Sequence, residues 1–536
     1  MLLKKSHTCD VLVIGSGIAG ISAAITAAES GCSVILACKG KLFSGSSFYP
    51  GTWGLGLIGP AGQNDEQDLA DTIQTVGCNM ADPELVKVFV HEIQPAIQRL
   101  RSMGMKLRRA ENASQKEFIP CFDHKHRDWN GIEFDSAQEI FSQRLNEENV
   151  QIFPLCEALE LVMDHGRVCG AIMATEEELF YVSCCAVVLA TGGYGSLFKY
   201  HLCTEDVVGS GQYLALKAGC ELVNMEFMQM MPGFISPANK TVFNEKTFRF
   251  THLYSPDGTQ LPILQDTDIL AVRSGHGPFT CRLPSKAVDL AIFEAFLENE
   301  AGVMAYYSEE IKNCPPEFIK VYFDWLLKEK RIQINDPVQI GIFAHAANGG
   351  IRIKPDASTN VPGLYAAGEV TGGMHGADRI GGLSTANGLV FGSIAGRSAA
   401  QSTMYTQDGP AEYNFEAFAT VGCENALKSL RQVMFQSAMI LRNETGLNNA
   451  LHTVNSLRTG IINNLFSTES IPEIKNTHRF LAQCATAESV LRSALLRKES
   501  RGSHYRTDYP KQCDSMEKQL IVSMNNNSIC VNFSNK

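Results

Sequence analysis

Near its start the chain changes from a strand-like to a helix-like pattern of apolar positions. Residues 11–14 form a continuous apolar run, which is typical of a buried parallel strand. Between Ile18 and Ala28 the apolar positions recur as they do on one face of a helix. A second short apolar run follows at residues 34–37. The pattern therefore predicts a strand, a helix and a second strand packed as one βαβ unit.

Three glycines fill the turn between the first strand and the helix. Gly15, Gly17 and Gly20 stand at the spacing GxGxxG, in which the first permits a tight turn and the second lets the backbone approach a pyrophosphate. The third lets the helix lie close on the strand, with its N-terminus directed at the phosphates. The spacing also fits a tight turn in any α/β protein. Residues 37–39 lack the acid that holds an adenosine ribose in nicotinamide-binding units.

A second strand followed by glycines is predicted later in the first half of the chain. Residues 186–190 are apolar and are followed by Thr191, Gly192 and Gly193, at the edge of the sheet where open α/β folds bind ligands. Loop 39–62 is rich in glycine and serine and carries four aromatic residues, so it is either packed against a large flat ligand or an ordinary buried loop. A small meander of strands is predicted at residues 157–163, 167–174 and 179–182.

The remaining segments predict an inserted domain and a helical C-terminal part. Over residues 232–337 the glycine-rich α/β pattern gives way to a pattern of mixed strands and turns. The α/β pattern returns with a short strand at 364–368 and a dense glycine loop at 372–388. Helices are predicted at residues 65–105, 212–218, 285–298, 316–328, 389–400, 426–441 and 480–497.

Composition and charge exclude several classes of function. The chain has 536 residues, of which 45% are hydrophobic and 19% charged, and its net charge is −11. Basic residues cluster only in short runs such as 124–127, so nucleic-acid binding is not expected; that run predicts a solvated loop or a phosphate or flavin-edge site. No apolar stretch reaches the roughly 18 residues of a membrane span, and no signal peptide is recognisable. The 17 cysteines include no CxxC spacing, which favours reduced thiols in a cytoplasmic protein without an iron–sulfur cluster or other metal site.

Five separated segments of the chain together carry a family resemblance. They are DVLVIGSGIAG at 10–20, ATGGYG at 190–195, GQYLALKAGCELVNMEFMQ at 211–229, VPGLYAAGEVTGGMHGADRIGG at 361–382 and RKESRGSHYRTDYP at 497–510. In this order they resemble the fumarate reductase, succinate dehydrogenase and L-aspartate oxidase flavoproteins over nearly the whole chain. Residues 36–54 most resemble the L-aspartate oxidase branch.

The resemblance implies a FAD-dependent oxidoreductase that binds FAD without a covalent link. The family histidine that becomes covalently attached to flavin has no counterpart, because no histidine lies between residues 10 and 81. Glu369 matches the glutamate that holds the ribityl hydroxyls, and residues 381–384 match the loop facing the pyrimidine end of the flavin. The implied cofactor-binding residues are Gly15, Gly17, Ile18, Ala19, Gly20, Lys39, Ser44, Gly45, Ser46, Thr191, Gly192, Gly193, Glu369 and Ser384.

The same resemblance implies hydride transfer between flavin and a carbon next to a carboxylate. His345 matches the family histidine that precedes a double glycine. Arg379 matches the arginine that binds the substrate carboxylate, and a guanidinium fork suits that group. A small carboxylic acid is therefore the expected substrate.

Two family positions are occupied by other residue types. Met231 replaces a histidine, and Ser285 stands where the family has its proton-transferring arginine. Arg282 and Lys286 are the nearest basic residues in the sequence and are the candidate catalytic replacements. Arg273 and His276 are further candidates. The pocket is therefore not expected to be that of a standard four-carbon dicarboxylate enzyme.

The patterns and the resemblance together predict an α/β fold. It consists of a Rossmann-like FAD-binding domain, an inserted α+β capping domain and a C-terminal helical domain. The predicted ranges are 1–234 and 338–408 for the FAD-binding domain, 235–337 for the capping domain and 409–536 for the helical domain. We expect the capping domain to act as a lid that excludes water from hydride transfer.

Three functions stay open on the sequence. The first is reduction or desaturation of a small organic acid with an apolar or bulky portion near Met231. The second is L-aspartate oxidase, which would make iminoaspartate. The third is a flavin-binding electron-transfer subunit or a catalytically altered homologue. Each function requires an electron donor or acceptor that the sequence does not identify.

Overall fold

The computed structural model describes residues 1–403 and 409–534. In the described residues, strands β1 to β22 are Leu2–Ile14, Val34–Ala37, Leu55–Gly59, Leu107–Arg108, Asp128–Ile132, Gln151–Phe153, Glu157–Asp164, Arg167–Ala174, Leu179–Leu189, Leu222–Val223, Met228–Ser236, Thr251–Tyr254, Val303–Tyr307, Val338–Ala347, Gly350–Arg352, Leu364–Ala366, Thr371–Gly372, Glu412–Asn414, Phe418–Ala419, Phe466–Ser467, Leu520–Asn525 and Ser528–Phe533. Helices α1 to α13 are Ile18–Glu29, Gln63–Val76, Pro83–Ser102, Phe134–Glu147, Ser210–Lys217, Thr267–Arg273, Lys286–Glu298, Glu309–Asn313, Glu317–Trp325, Leu383–Thr403, Cys423–Ala438, Glu444–Ile462 and Ile471–Leu496.

The largest sheet is built around β1. Its order is β6-β2-β1-β9-β8-β7, with β16 paired to β9 and β18 paired to β1. Strands β2 and β9 lie parallel to β1 on either side, and β16 lies parallel to β9. Residues 11–14 of β1 are buried, because the sheet pairs on both edges of this segment and helices cover it. The parallel arrangement brings the carboxyl ends of β1, β9 and β16 to one edge of the sheet.

Helices α1 and α10 pack closely against each other next to this sheet. Glycines in α10 make the close approach feasible, since a Cβ at Gly392 would lie 2.4 Å from the carbonyl oxygen of Ala19. A Cβ at Gly396 would lie 2.3 Å from the carbonyl oxygen of Ala23. The backbones of α1 and α10 are therefore in contact at these two glycines.

Strand β9 is longer than the sequence pattern predicts. The predicted break between residues 182 and 186 does not exist, and residues 179–189 form one strand that pairs with β8 and β1. Ser183, which interrupts the apolar run, is fully buried, and its Oγ accepts the backbone N–H of Gly409 at 3.2 Å. The predicted meander is thus part of the main sheet rather than a separate small sheet.

The segment predicted as a capping domain contributes β12, β13 and the end of β11 to a four-stranded antiparallel sheet of order β11-β14-β13-β12. Its helices α7 and α9 begin within one residue of their predicted starts. Strand β11 crosses the predicted boundary at residue 234, whereas β14 begins at the boundary at 338 and lies outside the segment. The two strands pair Met228 with Ala347 and Ser236 with Gln339. This sheet therefore joins the inserted segment to the rest of the chain, and the domain boundaries stay a prediction.

The C-terminal part contains α11 and α13, which overlap the helices predicted at 426–441 and 480–497, together with α12 and a hairpin, which the predicted helices do not include. Strands β21 and β22 form this hairpin and join β10 in a five-stranded sheet of order β17-β15-β10-β21-β22. The predicted boundary between 408 and 409 touches residues 404–408, which lie outside the described residues. Within the described part of the chain, no helix is both long and apolar enough to cross a lipid bilayer.

Candidate active site

A cavity lies at the carboxyl ends of β1, β9 and β16, where the two glycine turns face each other. All of the predicted cofactor-binding residues except Gly20 and Gly193 line it. Those that do are Gly15, Gly17, Ile18, Ala19, Lys39, Ser44, Gly45, Ser46, Thr191, Gly192, Glu369 and Ser384. Residues that are far apart in sequence therefore converge on one elongated space, which we call the main cavity.

The glycines of the first turn are required by close backbone contacts. Gly15 has φ +112, and a Cβ there would lie 2.2 Å from the carbonyl oxygen of Ala190. A Cβ at Gly20 would lie only 1.8 Å from the carbonyl oxygen of Gly15. Gly20 thus holds α1 against the strand without lining the cavity. Gly17 begins α1 with no side-chain cap, so the positive end of this helix borders the main cavity.

Three buried polar atoms of the main cavity have no hydrogen-bond partner within the described part of the chain. They are Thr191 Oγ1, Asp206 Oδ1 and His345 Nδ1. Buried polar groups in folded proteins nearly always have a partner. These three atoms therefore mark a space that is shaped for a polar ligand.

A partly buried group of ion pairs around Glu157 borders the main cavity. Lys39 Nζ lies 3.9 Å from Glu157 Oε2, and Arg479 donates to both oxygens of Glu157 at 2.9 and 2.7 Å. Burial lowers the pKa of Lys39, and the charge of Glu157 opposes this shift. The ammonium group is thus held beside the glycine turn from which β1 leads into α1.

Glu369 lies in the middle of the main cavity. Its Oε1 accepts the backbone N–H of Ala347 at 2.8 Å, and burial raises the pKa of its carboxyl group. A Cβ at Gly193 would lie 2.4 Å from Oε1 of Glu369. Gly193 therefore makes room for Glu369 instead of lining the cavity itself.

Arg379 and His345 lie in the same cavity. The buried guanidinium of Arg379 donates from Nε to Oε1 of Gln229 at 3.1 Å and from Nη1 to the carbonyl of Ile380 at 3.4 Å. Burial, and secondarily the charge of Arg379, lower the pKa of His345 to about 3. The site thus pairs a fixed cation with an imidazole that is neutral at physiological pH.

The candidate proton donors do not line the main cavity. Arg282 Nε donates to Oδ2 of the buried Asp378 at 3.1 Å. The ammonium of Lys286 lies 5.4 Å from the ring centroid of Tyr505. The structure therefore does not bring Arg282 and Lys286 together with His345 and Arg379, and their catalytic roles stay a prediction.

The further candidates Arg273 and His276 lie in a buried network around Ser285. His276 Nε2 and Ser285 Oγ are 2.8 Å apart, and Arg273 pairs with Asp289 at 2.8 Å. Neither Arg273 nor His276 lines the main cavity. Ser285 is thus hydrogen-bonded to His276 within this buried network.

The basic run before Trp129 is also engaged elsewhere. The guanidinium of Arg127 is buried and pairs with Asp65, Asp68 and Asp123 at 2.7, 2.7 and 2.9 Å. His124 and His126 are exposed. This run does not line the main cavity.

Sequence reasoning missed three acidic residues that line the main cavity: Glu157, Asp206 and Glu245. Glu245 lines the cavity, and its Oε1 accepts a hydrogen bond from Sγ of Cys121 at 2.9 Å. Glu245 is the first residue of a short 3₁₀ helix, Glu245–Phe250. Nothing in the surrounding sequence indicated that this glutamate is buried. Met231, expected to make part of the pocket apolar, also lines the main cavity.

Comparison with known proteins gives matches along nearly the whole chain. The family profile described as FAD binding domain matches residues 10–251 and 305–385. A second profile, described as fumarate reductase flavoprotein C-term, matches residues 427–534.

The chain belongs to the FAD-binding family of fumarate reductase and L-aspartate oxidase flavoproteins.

Full-length relatives support this assignment. The flavoprotein is 27% identical to a fumarate reductase (CoM/CoB) of Methanothermobacter marburgensis, over 97% of this chain and 98% of that one. It is also 27% identical to L-aspartate oxidase of Yersinia pestis, over 97% of this chain and 100% of that one. The structure of the Mycobacterium smegmatis Sdh1 complex in the apo form superposes with a TM-score of 0.80 at 25% identity, covering 98% and 94% of the chains.

These findings confirm the predicted family and fold class. The flavoprotein is a FAD-dependent oxidoreductase with an α/β FAD-binding fold and a helical C-terminal region. Its substrate is a separate question, since the relatives act on different molecules.

Proposed function

We propose that the flavoprotein transfers a hydride between non-covalently bound FAD and a carbon adjacent to the carboxylate of a small organic acid. The observation that carries this proposal is the presence of Arg379 and His345 in the same cavity as both glycine turns. FAD supplies the hydride-accepting and hydride-donating ring. The chain supplies the groups that bind and orient the acid.

The residues of the main cavity fit FAD. The start of α1, where Gly17 offers no side-chain cap and Ile18 N–H donates to Ser47 Oγ at 3.0 Å, and the glycines at 15 and 17 suit a pyrophosphate. The unpartnered Oγ1 of Thr191 and the carboxyl of Glu369 offer hydrogen bonds to hydroxyl groups. Ser384 lies at the start of α10, whose amides would stabilise negative charge on a reduced ring.

The flavin is proposed to be non-covalent because loop 39–62 contains no histidine. Acid precipitation of the purified yellow protein should release the colour into the supernatant. Colour that stays in the pellet would show a covalent link.

Arg379 is proposed to clamp the carboxylate of the substrate. Its Nε is bonded to Gln229, so the orientation of the fork is fixed before the acid arrives. His345 adds a neutral hydrogen-bonding group whose Nδ1 has no partner in the described residues. Together they would hold the reacting carbon in one orientation over the flavin.

A second candidate function is L-aspartate oxidase. The alignment with the Yersinia pestis enzyme covers all of that protein, and loop 36–54 resembles that branch. Met231 and Ser285 oppose it, since an apolar side chain and a bonded serine stand where the family has polar and basic groups. A third candidate is an electron-transfer or catalytically altered homologue, which the absence of a second arginine from the lining of the main cavity favours.

One screen separates these candidates. The holoprotein is reduced anaerobically with dithionite, and re-oxidation of the flavin is followed by absorbance with a panel of unsaturated acids. We expect at least one 2-enoic acid to restore the yellow colour. Bleaching of the oxidised protein by L-aspartate would instead support the oxidase, and no response to any acid would support the third candidate. The electron partner is unassigned, and the composition favours a cytoplasmic location.

A further inference from the structure

A second cavity adjoins the main cavity on the side of Arg379. It has a volume of about 410 Å³, which lies within the ~300–1,000 Å³ range of small-molecule sites. Seven residues line both cavities: Thr52, Trp53, Gly54, Leu55, Gly56, Glu245 and Gly382. We call this space the side chamber.

The boundary between the two cavities is thin. Three of the seven shared residues are glycines, and Gly54 and Gly382 have φ values of +143 and +83. A Cβ at Gly382 would lie 2.2 Å from Cγ1 of Ile58. A larger side chain would be strained at Gly54 and would clash at Gly382, so neither position places a side chain between the main cavity and the side chamber.

The walls of the side chamber are aromatic. Phe118 contacts the ring of Trp129 edge to face, with centroids 5.0 Å apart, and the ring of Phe318 at 5.5 Å. Trp53 contacts Phe318 in the same manner at 6.3 Å. These rings come from four different parts of the chain and hold one another in place. They form a rigid apolar surface suited to a planar group.

The charged groups of the side chamber are mostly engaged. Glu117 pairs with Arg249, and Lys246 Nζ donates to the carbonyl of Ile119 at 3.1 Å. Arg108 and the exposed Glu133 also line the chamber, and neither forms an ion pair in the described part of the chain. The guanidinium of Arg108 stacks 5.1 Å from the centroid of Trp129. Glu133 and Glu317 act on Arg108 only at longer range. A stacked guanidinium extends the flat wall that Trp129 begins.

We propose that the side chamber binds a planar, aryl-type substituent on the β-carbon of the acid substrate. This inference rests on the proposed function, since it places the carboxylate at Arg379. The shared residues bring the side chamber next to the carboxylate clamp, and the apolar Met231 lines the intervening main cavity. A four-carbon diacid would leave the aromatic chamber unused. An aryl group would bury its faces against Trp53 and Trp129.

The chain offers a matched set of tryptophans for the test. It has three: Trp53 and Trp129 line the side chamber, and Trp325 packs 6.2 Å from Trp53 but lines neither cavity. Trp129→Leu removes an aryl contact. Trp325→Leu makes the same chemical change outside the chamber.

The experiment compares cinnamate with crotonate as oxidants of the dithionite-reduced holoenzyme. The measured quantity is the ratio of their second-order rate constants for flavin re-oxidation. We expect the ratio to exceed about 10 in the native protein and to fall about tenfold in Trp129→Leu, which corresponds to about 1.4 kcal/mol. Trp325→Leu should keep the native ratio. Phe318→Leu provides a second chamber variant should Trp129→Leu fail to fold.

A binding measurement separates failure of this inference from failure of the proposed function. Cinnamate is titrated into the oxidised holoenzyme, and the shift of the flavin absorbance gives a dissociation constant. If no acid re-oxidises the flavin but Trp129→Leu weakens cinnamate binding about tenfold, the chamber assignment stands and the proposed reaction fails. If crotonate or fumarate is preferred and the ratio is unchanged in both chamber variants, the assignment is overturned while the reaction stands. Absence of cinnamate binding also overturns it.

Discussion

At the scale of single residues, the site depends on two groups whose charge states differ sharply. Arg379 is buried, and burial lowers its pKa while Glu369 opposes the shift; an arginine keeps its proton in proteins. His345 is held neutral by burial and by Arg379. The carboxylate of a substrate would therefore meet one permanent positive charge and one uncharged hydrogen-bonding group.

Replacing Arg379 by lysine should lower turnover of an acid substrate by orders of magnitude. Lysine keeps the charge but loses the planar fork that Gln229 orients. FAD content should be unchanged, because no proposed FAD contact is removed. Turnover by stopped-flow absorbance and the ratio of flavin to protein check both statements.

The matched control is Arg352→Lys. Arg352 pairs with Glu221 at 2.8 Å at the surface and lies outside the main cavity. Its replacement should leave turnover within about twofold. Near-normal turnover in Arg379→Lys would show that Arg379 does not clamp the acid.

The affinity for a carboxylate ligand should show no step caused by His345 between pH 5.5 and 8, whereas the buried Asp378 next to Arg379, with its pKa raised by burial to about 6, is the group that titrates there. A histidine with the usual pKa near 6.5 would gain a positive charge on going down through this range. With its pKa at about 3, His345 is already neutral above pH 5 and stays so. Dissociation constants from flavin difference spectra, measured at steps of pH, give the profile.

The variant His345→Gln independently tests the statement that His345 does not titrate in this pH range. Glutamine hydrogen-bonds but does not titrate, so the profile of His345→Gln should have the same shape as that of the native protein. An inflection near pH 6.5 in the native protein that disappears in His345→Gln would show that the imidazole titrates.

At the scale of elements, the sequence predicted those helices and strands whose apolar spacing is recognisable within one short segment. Strand β1, helix α1 and strand β2 were recognisable because apolar spacing and the glycine turn lie within one short segment. The full length of β9 was not recognisable, because Ser183 interrupts its apolar run. The buried Oγ of Ser183 accepts a hydrogen bond from the backbone N–H of Gly409, which is distant in the sequence. Helix α10 begins at Leu383 rather than 389, since its first turn follows Gly382 at φ +83 inside what reads as a glycine loop.

The residues of the candidate site likewise fall into two groups, those that the sequence indicated and those that only the tertiary structure reveals. Residues next to a glycine turn or inside a family motif, such as Thr191 and Glu369, line the cavity, and their role in binding FAD stays a prediction. Glu245 lines it without any sequence signal, because a buried 3₁₀ helix places it there. Arg282 was named from its sequence distance to Ser285, but its orientation is determined by the buried Asp378. Side-chain direction therefore requires the tertiary structure.

Two helical glycines should respond oppositely to alanine. At Gly20 a Cβ would lie 1.8 Å from the carbonyl oxygen of Gly15, so Gly20→Ala should push α1 off the strand. We expect a loss of about 1–3 kcal/mol in unfolding free energy or more, together with loss of bound FAD. Gly460, exposed in α12 with no atom within 4 Å of a built Cβ, should gain about 0.5–1 kcal/mol on replacement by alanine. Thermal unfolding and flavin content distinguish the two, and equal retention of FAD would contradict the role of Gly20.

At the scale of the whole molecule, the inserted segment reaches the substrate end of the site. Phe279 N–H donates to the carbonyl of Met230 at 2.6 Å, and Thr280 Oγ1 donates to Asp378 at 2.7 Å. Asp378 directly precedes Arg379 in the chain. Movement of residues 235–337 would therefore change the surroundings of the proposed carboxylate clamp and admit or exclude water.

If this segment is a lid, a reversible cross-link across its edge should stop turnover. A Cβ at Gly277 would lie 3.5 Å from Sγ of Cys121, which belongs to the other side of the cleft; this separation is compatible with a disulfide. In Gly277→Cys, oxidation should slow turnover by about tenfold or more while FAD stays bound, and a thiol reductant should restore it. The same variant combined with Cys121→Ser should be insensitive to oxidation, which separates the cross-link from the new side chain. Full turnover in the oxidised, cross-linked protein would show that substrate enters and product leaves without opening of this segment.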